Sequence, residues 1–470
     1  MTEGNANSGT GGFAVVLGLV LLWGPGGCGD RGPTGSLPPG VSGLYFSADA
    51  GTDGREPWIL RSPGLSPVQL MDINGTGGSS DPQSFVRIQD TVYFTARTAA
   101  DGRELWRTDG TTAGTEQVAD INPGNDDGIA DGADLTVFKG DLYFAADDGA
   151  TGTELWVYDV SGEQVRQVRD INRAVSPGSS DPARFTEAGG TLFFSATNGT
   201  DGVELWRTDG TPAGTQQVAD INSSGSADPD YLTYLNGILF FGATDGGPRG
   251  REVWRSDGTS GNPVAIDIND GSGDSNPAHI TAFGNFVYFG ASGPNNNGEE
   301  LWRADTSGFH EMVENINIEV GGGSNPHNFR VSGNRLFFAA NDGIVVGFWT
   351  VSSASLQEAS QLVVNPNGDS DPRELADFGG TLVFQATDAD GAEPWYFDGR
   401  APKQIDDLNT AQGTASLPRE FTDFEDRLFF TATDDSVARQ LWKVTSLGLD
   451  PIPIPSNNRS DYDPRELAAL

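Results

Sequence analysis

The chain has 470 residues, enough for two or three ordinary domains or for one large repeat array. Its formal net charge is −38, from 66 acidic and 28 basic residues. This field repels phosphate, which excludes nucleic acid as a partner and disfavours adsorption to anionic lipid. Aromatic residues make up 10% of the sequence, so the chain can bury a core, unlike an acidic disordered polymer.

The N-terminus predicts export from the cytoplasm. The stretch Phe13–Trp23 is continuously apolar, which fits the hydrophobic region of a signal peptide and is too short to span a bilayer. Cys28, the single cysteine, follows Gly26 and Gly27. This arrangement resembles the lipobox of bacterial lipoproteins, in which the cysteine is acylated and becomes the new N-terminus. We therefore predict a signal peptide over residues 1–28, lipidation of Cys28, and contact with a membrane through the lipid alone.

Two features depart from the usual lipoprotein signal. Pro25 stands where leucine is usual, and no Lys or Arg precedes Arg31. Secretion without a lipid and a cytoplasmic location are the alternatives. Residues 29–40 are rich in Pro and Gly and predict a flexible tether, and residues 41–470 predict the folded repeat domain at the outer membrane or cell surface.

An internal repeat dominates the rest of the chain. Its clearest marker is a tryptophan that recurs every 46 to 50 residues, at Trp58, Trp106, Trp156, Trp206, Trp254, Trp302, Trp349, Trp395 and Trp442. Each period contains an aromatic strand such as Leu142–Ala146, a strand ending in the tryptophan, an Asp-Gly turn, a short strand before Asp-Ile-Asn, and an apolar segment after Ser-Asp-Pro. Four short strands separated by turns correspond to one blade of a β-propeller.

The two ends of the array predict that the ring closes. The first copy begins at its aromatic strand near Leu44 and lacks the strand that follows Ser-Asp-Pro, whereas Ser460–Leu467 adds such a strand after the last copy. We predict an all-β fold, a single closed β-propeller of about nine four-stranded blades whose first blade is completed by the C-terminal strand. Nine exceeds the usual four to eight blades. The alternative is eight blades, with the degenerate Trp349 copy peripheral.

The string Glu-Leu-Trp-Arg-Thr-Asp-Gly-Thr, complete at 104–111 and 204–211, resembles the ELWxxDGT-type repeat proteins of bacteria. The resemblance covers nearly all of the chain from Leu44. It implies a repeat fold and an exported location, and it implies no reaction.

The repeated polar residues predict structural roles. A glutamate that precedes Leu-Trp in most copies is expected to satisfy the same backbone donors in each blade. The Asp-Gly pairs and the Asp-Ile-Asn segments predict turn and cap chemistry. From the sequence we assign no catalytic residue and no metal ligand.

Calcium is the one cofactor that the loops suit, because they are rich in the oxygen ligands it prefers. These loops are Asp49–Gly54, Asp147–Gly149 and Asp388–Gly391, and none has an established calcium-binding spacing. Of the three histidines, His279 and His327 follow Asn-Pro in successive copies and are expected to be neighbours on one surface. A pair of histidines lacks the further ligands that zinc requires.

These observations favour a monomeric, non-catalytic module that binds an extracellular protein or glycan through loops on one face of the ring. The alternatives are a hydrolase or lyase of extracellular polysaccharide, with paired carboxylates in the central pocket, and a calcium-dependent adhesin. Residues repeated in every blade explain the ring, so function is expected to lie in residues that do not repeat.

Overall fold

The computed structural model describes residues 42–470 apart from residues 50, 52, 76, 175–176, 272, 295–296, 410–413, 435–438, 446–447 and 453–462. The described residues form strands, turns and loops without a helix. No helix in this part of the chain could therefore cross a membrane. The strands build nine four-stranded antiparallel sheets, which are the blades of a β-propeller.

The strands of blades 1 to 3 follow the predicted repeat. Blade 1 contains β1 (Leu44–Asp49), β2 (Arg55–Leu60), β3 (Val68–Gln69) and β36 (Arg465–Ala469). Blade 2 contains β4 (Gln83–Ile88), β5 (Thr91–Thr98), β6 (Gly102–Thr108) and β7 (Glu116–Ala119). Blade 3 contains β8 (Thr136–Phe138), β9 (Asp141–Asp147), β10 (Thr153–Asp159) and β11 (Gln164–Arg169).

Blades 4 to 6 repeat this order. Blade 4 contains β12 (Ala183–Ala188), β13 (Thr191–Thr197), β14 (Val203–Thr208) and β15 (Gln216–Gln217). Blade 5 contains β16 (Asp230–Leu235), β17 (Ile238–Thr244), β18 (Arg251–Ser256) and β19 (Val264–Ile266). Blade 6 contains β20 (Ala278–Phe283), β21 (Phe286–Ser292), β22 (Glu299–Ala304) and β23 (His310–Glu314).

Blades 7 to 9 complete the ring. Blade 7 contains β24 (His327–Ser332), β25 (Arg335–Asn341), β26 (Val346–Ser352) and β27 (Ser355–Leu362). Blade 8 contains β28 (Arg373–Phe378), β29 (Thr381–Asp388), β30 (Gly391–Phe397) and β31 (Pro402–Gln404). Blade 9 contains β32 (Arg419–Phe424), β33 (Arg427–Thr433), β34 (Arg439–Thr445) and β35 (Gly448–Ile452).

The predicted closure of the ring is confirmed. Strand β36 pairs with β1, Leu44 lying opposite Ala469, and it also contacts the first strands of blades 2 and 9. The backbone groups of Gly43 and Leu470 exchange two hydrogen bonds of 3.1 and 3.0 Å. Of the segment predicted to supply the missing strand, Ser460–Tyr462 lies outside the described residues, and Arg465–Leu467 lies within the strand.

The core of the protein lies between the blades. The side chains of Leu44, Tyr45 and Phe46 are all fully buried, because alternate residues of this strand pack on different neighbours. Leu44 and Phe46 pack against Phe429 of blade 9, and Tyr45 packs against Phe94 of blade 2. The continuous apolar run thus reflects a strand buried on both faces.

The degenerate Trp349 copy is a full blade and is not peripheral. Its four strands form one sheet, and the Trp349 indole N–H donates to the Ala340 carbonyl at 3.2 Å. Trp58 makes the same bond to Ala48. The count of nine blades, taken from the tryptophans, is therefore correct.

The two faces of the ring differ in what they carry. Leu44 and Leu470 lie at one face, which we call the terminal face. The hairpin between Asp49 and Arg55 lies at the opposite face, which we call the hairpin face. Asp463, just before β36, also lies there, since Arg55 donates to its carboxylate at 3.0 Å. The start of β1 and the end of β36 therefore lie on the same face.

Candidate functional site

The repeated glutamate fastens the loops of its own blade. In blade 1 the Glu56 carboxylate accepts hydrogen bonds from the Ile73 N–H at 2.9 Å, the Ser80 N–H at 3.1 Å and the Ser80 Oγ at 2.7 Å. Ile73 and Ser80 lie at the two ends of the Gly/Ser-rich loop. The predicted structural role is confirmed by this geometry, which ties a loop without regular structure to the central strand.

Seven blades contain this buried glutamate, and each of the seven side chains is fully buried: Glu56, Glu104, Glu154, Glu204, Glu252, Glu300 and Glu393. Burial raises the pKa of these carboxyl groups, to about 7 for Glu56, Glu104, Glu204 and Glu252. The hydrogen bonds lower the pKa and only partly offset burial. A raised pKa therefore does not by itself mark a reactive site in this protein.

We expect the protein to become less stable as the pH rises from about 4.5 to about 7. The pKa of the buried glutamates is raised from 4.5 to about 7 on folding, so the folded state binds more protons than the unfolded state in this window. The stability they contribute is fully present below pH 4.5 and is lost as the pH passes the folded pKa. Melting temperatures measured at constant ionic strength from pH 4.5 to 8 test this.

The variant Glu204→Gln serves as the control for this pH dependence. It removes one titrating group from the set, so its melting temperature should change less with pH than that of the wild type. A wild-type melting temperature that increases steadily from pH 4.5 to 8 would contradict the assignment.

The Asp-Gly and Asp-Ile-Asn segments also have the structural roles that the sequence predicts. The Asp109 carboxylate accepts the Thr111 N–H at 2.9 Å and the Thr111 Oγ1 at 2.6 Å, which closes the turn at Gly110. The Asn222 side chain donates to the Ser226 carbonyl at 2.7 Å and closes the following loop.

The acidic loops proposed for calcium use carboxylate oxygens on their own backbones. Asp49 accepts the Gly51 N–H at 2.7 Å, and Asp147 accepts the Gly149 N–H at 2.8 Å. Asp388 accepts the Asp390 N–H at 2.9 Å. Within the described residues, no three His, Cys, Asp or Glu side chains are arranged to hold a metal ion. Calcium binding stays a prediction from composition.

The inner strands carry a different kind of residue, one that varies from blade to blade. In eight blades the inner strand contains a β-bulge whose residue has a positive φ between 51° and 60°. We call these residues the channel ring because the inner strands surround the central axis. The channel ring consists of Glu466, Ser84, Arg184, Tyr231, His279, Asn328, Glu374 and Glu420, in order from blade 1 to blade 9 without blade 3.

Glycine or asparagine would suit this backbone best, because a side chain in the left-handed region costs on the order of 1 kcal/mol. The ring instead holds mostly large or charged side chains, and most of them differ between neighbouring blades. A bulge that served only the fold would not require this variety. The channel ring is therefore the candidate functional site.

Three glutamates occupy consecutive blades of the channel ring. Glu374 accepts the Glu420 N–H at 3.2 Å, Glu420 accepts the Glu466 N–H at 2.8 Å, and Glu466 accepts the Ser84 N–H at 3.4 Å. Burial raises the pKa of Glu420 to about 7, and the Glu466 and Glu374 carboxylates add to the effect. Its Oε2 atom is buried without a hydrogen-bond partner in the described part of the chain.

The opposite part of the channel ring is aromatic. The rings of Tyr231 and His279 lie 5.3 Å apart, and Phe329 lies 6.3 Å beyond His279. Arg184 and Tyr231 line a cavity of about 400 Å³ between blades 4 and 5. Burial and the nearby charge of His327 lower the pKa of His279, in agreement with the predicted proximity of the two histidines.

The sequence contains one pattern that marks part of this site. The tripeptide Pro-Arg-Glu occurs in the last three inner strands, at 372–374, 418–420 and 464–466. Its glutamates are the acidic arc of the channel ring. Nothing in a single copy indicates that these residues share a channel, so the tripeptide alone does not identify them as one site.

Comparison with known proteins gives remote structural matches alone. No protein-family model and no curated protein matches the chain. Solved structures do match it. Oligopeptidase B from Leishmania major is 12% identical, over 72% of this chain and 50% of that one, with a TM-score of 0.42. A prolyl endopeptidase is 11% identical, over 69% and 50%, with a TM-score of 0.41.

The β-propeller domain of the Trilobed protease from Pyrococcus furiosus is 10% identical, over 71% of this chain and all of that one, with a TM-score of 0.35. The chain thus spans about half the length of the first two structures and the whole of the third. At such identities nothing about activity transfers to this chain.

Cys28, the signal peptide over 1–28 and the tether over 29–40 all lie outside the described residues.

Proposed function

We propose that this protein is an exported, lipid-anchored binding module of the ELWxxDGT type, and that its ligand contacts the channel ring. The observation that carries the proposal is the set of non-repeating side chains held at backbone positions that favour glycine. Side chains that are unfavourable for the local backbone conformation are expected at positions where they serve a function.

The position of the chain termini supports this role at a cell surface. A lipid on Cys28 would lie ahead of the predicted tether over 29–40 in the sequence, and the described chain enters the propeller at Leu44 on the terminal face. The channel ring lies in the half of the channel nearer the hairpin face, since Arg465 is level with Ser47 near the end of β1. An anchored protein would then present the ring away from the membrane.

A glycan is the ligand that the ring suits best. The Tyr231 side chain is 39% exposed and adjoins His279, which offers a flat apolar surface for a sugar ring. The carboxylates across the channel are acceptors for hydroxyl groups, as at Glu374 and Glu466. Aromatic side chains and a few polar groups around a cavity are typical of ligand-binding sites.

Binding to printed glycan and peptide arrays tests the proposal. We expect the wild type to bind a glycan, and the Tyr231→Ala/His279→Ala variant to bind it at least about tenfold more weakly. Aromatic side chains that become buried under a ligand contribute most to affinity. Phe309→Ala is the matched control, because Phe309 is an exposed aromatic residue in an outer turn. Unchanged glycan binding by the double variant would contradict the proposal, and peptide binding alone would contradict the choice of a glycan.

A polysaccharide hydrolase or lyase is the second candidate function. It is favoured by Glu420, a carboxyl group with a pKa of about 7 next to two further carboxylates, because such a group can donate a proton near neutral pH. The same array ligands distinguish the two functions. Release of reducing or unsaturated ends by the wild type, lost in Glu420→Gln with binding retained, would establish the enzyme.

A further inference from the structure

Blade 7 lacks the buried glutamate that fastens the loops of seven other blades. The strand registers identify the position: Phe348 pairs with Leu362 in blade 7 as Val253 pairs with Ile266 in blade 5. The residue before Phe348 is Gly347, whereas the residue before Val253 is Glu252.

Blade 5 shows how a carboxylate is held at this position. Glu252 accepts the Ile268 N–H at 2.8 Å, the Ser275 N–H at 2.9 Å and the Ser275 Oγ at 2.7 Å. The counterparts of these two donor residues in blade 7 are Val364 and Ser370. Both are buried as in blade 5, and Ser370 keeps its bond to the preceding strand, from its N–H to the Val346 carbonyl at 2.9 Å.

The Ser370 Oγ also donates to the Val346 carbonyl, at 3.2 Å, and Gly347 offers no side-chain acceptor in the place of Glu252. A cavity of about 400 Å³ lies at this place, lined by Gly347, Val364 and Ser370 among others. The Gln361 amide nitrogen lies 2.5 Å from where a Cβ on Gly347 would be, so it faces the same space. Gln361 bonds at 3.4 Å to Asp342, which leaves its flexible amide able to turn toward a new acceptor.

Two exposed apolar side chains border this cavity, beside polar lining residues such as Asn365 and Asn367. Val363 replaces the aspartate that precedes Ile-Asn in other blades, and it is 65% exposed. Ile344, in the adjacent hairpin, is 87% exposed, and both residues line the cavity. In blade 5 the equivalent aspartate, Asp267, adds to the effect of burial in raising the pKa of Glu252. Blade 7 lacks that like charge.

The remaining acidic groups at the cavity are already engaged with the backbone. Asp342 accepts the N–H groups of Ile344 and Val345, each at 2.9 Å. Asp369 accepts the Val346 N–H at 2.7 Å. Asp342 thus bonds to the hairpin through Oδ1, while its Oδ2 accepts the Gln361 amide.

We propose that blade 7 binds a small aliphatic monocarboxylic acid, with the carboxylate in the place of the missing glutamate and the hydrocarbon chain against Ile344 and Val363. The hydrogen bonds would come from the Val364 N–H, the Ser370 N–H and Oγ, and the Gln361 amide. The other blades supply the template, since a carboxylate occupies this position in seven of them. This site is separate from the channel ring and does not depend on the ligand proposed there.

Titration of the full chain with hexanoate tests the proposal, followed by amide chemical shifts or by calorimetry. We expect saturable binding with shifts at Val364 and Ser370, and at least about tenfold weaker binding of hexanamide, because a hydrogen bond to a charged group is stronger than one to a neutral group. Acetate should bind more weakly than hexanoate, because it cannot contact the apolar rim. Equal binding of hexanoate and hexanamide would overturn the proposal.

Two variants distinguish this site from non-specific uptake. Gly347→Glu supplies the carboxylate from the chain itself and should abolish hexanoate binding. Ser370→Ala removes one donor and leaves the cavity open, so it should weaken binding several-fold even if Gly347→Glu fails to fold. Hexanoate binding that is unchanged in Ser370→Ala would contradict the assignment of the site.

Discussion

Removal of residues 463–470 is expected to destabilise the protein more than any single substitution, by on the order of 5 kcal/mol. The deletion removes β36, so the inner edge of β1 loses its partner strand. It also removes Leu467 and Ala469 from the cluster around Leu44 and Phe46, where blades 1 and 9 meet. The ring would then be held at this junction by the remaining strands alone.

Urea denaturation of the truncated chain, followed by tryptophan fluorescence, measures this loss. A synthetic peptide of residues 463–470 added in excess should raise the midpoint again, because the missing strand can pair with β1 from solution. A chain that begins at residue 41 serves as the control for truncation at the other end, and its midpoint should match that of the full chain. An unchanged midpoint after the C-terminal deletion would contradict the closure of the ring by β36.

The second large effect is expected from Glu204→Ala, at roughly 3 to 5 kcal/mol. The Glu204 carboxylate accepts the Ile221 N–H at 2.9 Å, the Ala227 N–H at 3.1 Å and the Asn222 N–H at 3.4 Å. Without the carboxylate the Ile221 and Asn222 N–H groups lose this acceptor, and the Ala227 N–H keeps only the Val203 carbonyl at 3.0 Å. No serine hydroxyl donates to Glu204 in this blade, so the expected loss of stability comes from the backbone N–H groups alone.

The free energy of unfolding in urea, measured for matched variants, tests this expectation. Glu204→Gln keeps one acceptor oxygen and should lose less, since blade 9 naturally has Gln440 at this position. Glu116→Ala is the surface control: Glu116 is exposed and paired with Arg107, so its removal should cost less than about 1 kcal/mol. A loss for Glu204→Ala as small as that for Glu116→Ala would show that the loops are held by other contacts.

Much of the architecture can be predicted from the sequence because the same repeat occurs nine times. The tryptophan spacing predicts the number of blades, and the leftover strand after the last copy predicts how the ring closes. The structure confirms both predictions, including a complete blade around Trp349. A repeated residue must satisfy the same local geometry in each copy, so the role of Glu56 and its counterparts also follows from repetition.

The channel ring could not be predicted from the repeat. Its members lie 46 to 382 residues apart along the chain, as Glu374 does from Glu420 and as Ser84 does from Glu466, and nothing local marks the bulge that holds them. Only the closed ring brings the inner strands around one axis. The acidic arc and the aromatic arc are therefore properties of the assembled blades.

The repeat, the blade count and the structural use of the repeated acids can be predicted from the sequence, because these depend on contacts within one blade. Which non-repeating residues share a channel is visible only in the closed ring. The cavity beside Gly347, bordered by Ile344 and Val363, is likewise visible only in the folded protein. These features depend on strand register and on packing between elements far apart in the chain. Neither can be predicted from a pattern of residues along the sequence.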